Sequence, residues 1–133
     1  MVSVKTVRRI GAAALILPGF DHLVSPMLAM ILAPSIMQTM FGQGYISATI
    51  FFIVLGIFQI TWIGVLLKSK NELFLILGVF GNLVSIFIYF ISASGVTIFG
   101  VPPQPLIAFG VLVKALECLF VFSTAYVLKA GKA

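Results

Sequence analysis

Residues 45–67 read YISATIFFIVLGIFQITWIGVLL, twenty-three positions without a charge. At about 1.5 Å of rise per residue a helix of this length covers roughly 34 Å. The hydrocarbon core of a bilayer is about 30 Å thick, so the run is a membrane-spanning helix by itself. Tyr45 stands at one end and Trp62 toward the other, where aromatic side chains sit at headgroup level. Its one strongly polar residue is Gln59.

Working outward, LFLILGVFGNLVSIFIYFIS (73–92) and LIAFGVLVKALECLFVFSTAYVL (106–128) repeat the pattern. Asn71 is placed to cap the first of these, with Glu72 in the first turn beside the positive helix end. Upstream, a first apolar segment covers about 10–33. It carries Pro18, Pro26 and Pro34, each of which removes a backbone donor. Two arrangements remain open. A kinked helix spans 10–33 and is ended by Pro34, or the span stops near Ser25 and 26–42 lies along the interface. The second leaves about 16 residues after Arg9, against about 20 for a usual span. No A-x-A-like cleavage site follows the apolar run, so it reads as a retained helix rather than a signal peptide.

The fold expected is therefore all-α: one domain of four transmembrane helices, at about 10–33, 45–67, 73–92 and 106–128. The whole composition agrees. Of 133 residues, 62% are hydrophobic and 8% charged, with a mean hydropathy of +1.26. Soluble domains carry about 25% charged residues. The net charge of +5 is concentrated at segment ends. Lys5, Arg8 and Arg9 precede the first segment, Lys68 and Lys70 join the second and third, and Lys129 and Lys132 follow the last. That is the positive-inside pattern for both termini in the cytoplasm of a multi-pass cell-membrane protein. The basic balance then reflects topology and anionic headgroups, not nucleic acid. The linker SASGVTIFGVPPQP (92–105) has no charge, and reads as a segment that dips into the interface or docks on another protein.

Against this apolar background a few polar side chains stand out: Asp21, His22, Gln59, Asn82, Lys114 and Glu117. A charge at mid-bilayer costs roughly 2.5–3.5 kcal/mol on insertion scales, so such groups need partners. Counting rise from the segment ends puts Asp21 and His22 near mid-bilayer, and Asn82, Lys114 and Glu117 at about 14, 12 and 16 Å of depth. They can share one layer. Lys114 and Glu117, at i and i+3, can pair on their own helix. Gly78, Asn82, Ser85 and Tyr89 share one face of the third segment, and Gly110, Lys114, Glu117, Val121 and Thr124 one face of the fourth. Two uses stay open: a device holding helices in register, or a proton or ion path through carboxylates and histidine.

Other chemistry is thin. There is no P-loop, G-x-G-x-x-G, C-x-x-C or H-E-x-x-H. One histidine supports neither a hydrolytic triad nor a metal site within this chain. Cys118 alone forms no internal disulfide and reads as a small hydrophobe. Met27, Met30, Met37 and Met40 read as a packing surface rather than as thioether copper ligands.

GFDHL (19–23), GIFQITW (56–62), Gly81-Asn82, the Pro-rich outer linker and the glutamate of the last segment together resemble a diffuse group of small four-helix membrane proteins of archaea and actinobacteria. His22-Leu23 and the Gln59 to Trp62 run match residues that recur there. Lys114 departs from the pattern. The chain also resembles accessory subunits found beside archaeal ammonia monooxygenase. That resemblance implies a non-catalytic subunit of a membrane complex, with other membrane subunits as partners and copper held elsewhere in the assembly. The alternative is a small homo-oligomeric transporter or proton-coupled carrier that uses the intramembrane Asp, His, Lys and Glu.

Overall fold

The computed structural model describes residues 1–98, 103 and 106–131, apart from the side chains of 40, 41 and 43. Six α-helices carry it: α1 (Val4–Ala14), α2 (Ile16–Leu32), α3 (Pro34–Phe41), α4 (Tyr45–Lys68), α5 (Glu72–Ala93) and α6 (Ala108–Gly131). Taken as one span, α1 and α2 join α4, α5 and α6 as four helices long and apolar enough to cross a membrane. Most of the linker between α5 and α6, and Lys132 of the basic C-terminus, lie outside the described residues.

The first span starts earlier than the expected residue 10. Ser3 caps α1, its side chain accepting from the Thr6 N–H, so the helix begins at Val4 and includes both arginines. Pro18 then divides the span. Having no N–H, it leaves the Ala14 carbonyl without its helical partner. The Leu15 N–H turns to Ala12 O at 3.2 Å, and regular bonding resumes with Gly19 N–H to Leu15 O at 2.9 Å. Pro26 does not end α2, which runs on to Leu32. The stop comes at Ala33, forced by the following Pro34 out of helical conformation (φ −146°, ψ 56°). Residues 26–32 thus belong to the span, and α3 forms a separate short helix followed by a 3-10 turn over Gly42–Gly44. Gly42, at φ +61°, closes α3 in a conformation that a side chain resists.

The main helix crossings are made through small residues. α2 crosses α4 at Gly19 and Gly56, where a Cβ on Gly56 would lie 2.5 Å from Leu23 N and 2.9 Å from Gly19 O. α1 packs on α6 and the end of α4 through Gly11, whose Cβ would stand 2.7 Å from both Leu66 Cδ2 and Ser123 Cβ. Such contacts suit helices in lipid, where association depends on close backbone approach rather than on the hydrophobic effect. Leu15, Leu66, Leu75, Phe120 and Val127 form a buried cluster between them. Outward-facing side chains on α5 and α6 are large and apolar: Phe80, Phe87 and Phe122 are 65%, 64% and 73% exposed. That surface fits lipid and not water.

The start of α1 and the end of α6 lie at one end of the bundle. Arg8 Nη1 donates to Leu66 O (2.6 Å) and Ser69 O (2.8 Å), closing the carbonyl end of α4. At the same end Tyr126 donates its hydroxyl to Val2 O at 3.2 Å. Of the methionines, Met37 is buried and Met27 exposed, and Cys118 is half-buried.

Candidate functional site

The α2–α4 crossing brings His22 against Gln59. His22 Nδ1 and Gln59 Oε1 are 2.8 Å apart. The Gln59 amide nitrogen donates in two directions, to Asn82 Oδ1 (3.0 Å) and to Glu117 Oε1 (2.7 Å). With both its N–H groups spent, its oxygen accepts, and His22 Nδ1 carries the proton in this arrangement. The imidazole lies stacked on Phe52, centroids 5.7 Å apart. Asn82 donates to Gly78 O at 2.9 Å, which fixes its orientation.

Glu117 receives the convergence of three helices. Lys114 Nζ reaches both of its oxygens at 3.1 Å and donates to Ser85 Oγ at 2.8 Å. Ser85 Oγ lies 3.1 Å from each Glu117 oxygen. Gln59, Asn82 and Glu117 are completely shielded within the bundle, at 0% exposure. His22 Nδ1 is also 3.8 Å from Glu117 Oε1, too long for a hydrogen bond beside the one already made to Gln59. The ion pair is neutral as a unit, and donors and acceptors interlock across α2, α4, α5 and α6.

The two faces expected of α5 and α6 meet in antiparallel register. Tyr89 lies over Gly110, Ser85 over the Lys114–Glu117 pair, and Gly78 against Phe120. Ser85 is a network member that spacing placed on the right face. Without the partner helix nothing distinguished it from its neighbours.

Asp21 stands apart from this network. Among the described residues its hydrogen bond comes from Ser25 Oγ, 2.8 Å away on the next turn of α2. The reason is geometric. Successive residues of a helix point about 100° apart. When His22 faces Gln59, Asp21 must face elsewhere.

It faces a cavity of about 350 Å³ between α2, α4, α5 and α6. This cavity occupies the half of the bundle away from the start of α1 and the end of α6. Asp21, His22, Ser85 and Lys114 border it, and its other walls are mainly apolar, with Phe51, Phe52, Phe109 and Tyr89 among them. The Lys114 ammonium sits 5.5 Å from the Tyr89 ring centroid. The Tyr89 hydroxyl is buried and has no hydrogen-bond partner among the described residues. Among those residues no three His, Cys, Asp or Glu side chains are gathered as a metal site.

Neither a family model, nor a curated protein, nor a solved structure matches this chain.

Proposed function

We propose that this chain is a non-enzymatic intramembrane binding protein of the small-carrier type. The observation that supports it is the cavity bordered by Asp21, His22 and Lys114. Its volume falls within the roughly 300–1,000 Å³ of ligand pockets, with apolar walls and a few convergent polar groups. Intramembrane carboxylates and histidines beside such a space are the equipment of solute and proton movement. The basic residues at one end of the bundle support a cell-membrane orientation with both termini in the cytoplasm. The cavity then belongs to the outer half of the bilayer.

The test is uptake of radiolabelled cationic, neutral and anionic small solutes into proteoliposomes under an imposed proton gradient. Accumulation of one class, lost in Asp21→Asn with helicity intact, is the expected result. A folded protein that accumulates none overturns the reading.

A second reading is a non-catalytic accessory subunit of a larger membrane complex, such as a copper membrane monooxygenase of the ammonia-oxidising kind. It draws on the resemblance described above and on the interlocked network, in which Gln59, Asn82, Ser85, Lys114 and Glu117 saturate one another and leave no reacting group. Any copper belongs to other subunits on this reading. Purification in mild detergent with mass spectrometry of co-purifying chains decides it. A chain that migrates alone removes it.

A further inference from the structure

We infer that the cavity is a site for a small organic ammonium ion: a protonated amine on a compact apolar body. The inference rests on the binding-protein reading above and deepens it. Three observations point the same way. The first is charge. Lys114 is committed to Glu117 at 3.1 Å. In this layer the ion pairs join Glu117 to Lys114 and to His22, and among the described residues none reaches the Asp21 carboxylate on the cavity wall. An anion at this depth calls for a compensating positive charge or a proton. With Lys114 held by Glu117 behind the wall, Asp21 is the acidic group on the wall that the network leaves unmatched.

The second is the wall. Phe51, Phe52, Phe109 and Tyr89 present aromatic rings to the same space. Aromatic faces attract cations, most strongly when water is excluded. They also receive an apolar body. The third is the Tyr89 hydroxyl, buried and unpartnered among the described residues. A buried hydroxyl without a partner loses its hydrogen bonds with water, and a ligand N–H directed at its oxygen restores one. A carboxylate ligand would meet Asp21 as a like charge, with the Lys114 ammonium already paired. A neutral ligand would leave Asp21 uncompensated.

The experiment uses the full chain in lipid nanodiscs and three probes of matched body: protonated benzylamine, whose ammonium has N–H groups for both Asp21 and Tyr89, benzyl alcohol and phenylacetate. Binding is read by saturation-transfer nuclear magnetic resonance, with empty nanodiscs subtracted. The ammonium is expected to bind at least about tenfold more tightly than the alcohol, a ratio set by one charge-assisted hydrogen bond. Asp21→Asn is expected to lower its affinity by about tenfold or more. Tyr89→Phe, which removes only the hydroxyl, is expected to weaken it severalfold. Asp21 lies outside the network that joins the helices, so its variant keeps the fold, which circular dichroism checks. If benzyl alcohol or phenylacetate binds as well as the amine, or Asp21→Asn binds the amine unchanged, the ligand class is wrong while the cavity remains a binding site. If a folded protein binds none of the three, the binding-protein reading falls with it.

Discussion

Gln59 and Glu117, on α4 and α6, meet at 2.7 Å in the middle of the bundle, an amide N–H donated to a carboxylate that Lys114 already neutralises. The contact makes Gln59 the junction of the structure, since the same side chain accepts from His22 and donates to Asn82. One amide thereby ties α4 to the three other spans.

Removing that amide should therefore cost more than an ordinary polar deletion. Gln59→Leu keeps the volume and strands partners on three helices. Each buried group left unpaired costs about 1–3 kcal/mol. The expected loss is about 3 kcal/mol in total, measured by reversible unfolding in mixed detergent micelles. Asn82→Leu, which unpairs fewer groups, should lose less.

Lys114→Met should be among the most disruptive single changes. It leaves the Glu117 carboxylate at 0% exposure without its cation. Breaking one side of a buried pair costs about 3–5 kcal/mol, whereas replacing both sides with apolar groups is often close to neutral. Lys114→Met with Glu117→Met should thus be more stable than Lys114→Met alone. A double-mutant cycle on unfolding free energies reads the coupling directly, and additive losses would show that the pair carries none.

How much of this was legible from sequence varies by residue. The spans were plain, because lipid demands long apolar runs and four are present. Depth counting put Asp21, His22, Asn82, Lys114 and Glu117 at levels that could share one layer, and in the structure Gln59 bridges His22, Asn82 and Glu117. Asp21 was grouped with its neighbour, but adjacency in a helix means different faces, so only one of the two could join the network. The start at Val4 was obscured by Lys5, Arg8 and Arg9. Charges mark a membrane boundary, not a helix boundary, and the Ser3 cap was the better signal. The cavity and the unpartnered Tyr89 hydroxyl depend on how four helices splay, and periodicity within one helix carries no such information.

Gly56→Ala should pull the network apart at a distance. The added methyl would stand 2.5 Å from Leu23 N, so α2 must move away from α4. Overpacking of this kind costs about 1–3 kcal/mol. The shift lengthens the bond between His22 and Gln59. The imidazole nitrogen resonances in a 15N-labelled sample should change in Gly56→Ala and stay fixed in Gly64→Ala, where a Cβ meets nothing within 4 Å.

Arg8→Met should loosen the far end of α4 and leave the polar layer intact. The guanidinium closes two carbonyls there, Leu66 and Ser69. A cation at a helix C-terminus contributes about 0.3–2 kcal/mol. Amide hydrogen exchange across Lys68–Asn71 should quicken in the variant, while exchange around Gln59 stays slow.

The break at Leu15 has a consequence for how the protein is made. Because Pro18 splits the first span, its leading half turns to α6, and its trailing half to α4. The small-residue face of α1, with Gly11 against Leu66 of α4 and Ser123 of α6, is therefore covered in full only once α6, the last of the four spans, is in place. Membrane insertion of the first three spans cannot complete the packing. The nascent chain holds an unsealed seam until α6 arrives to close it.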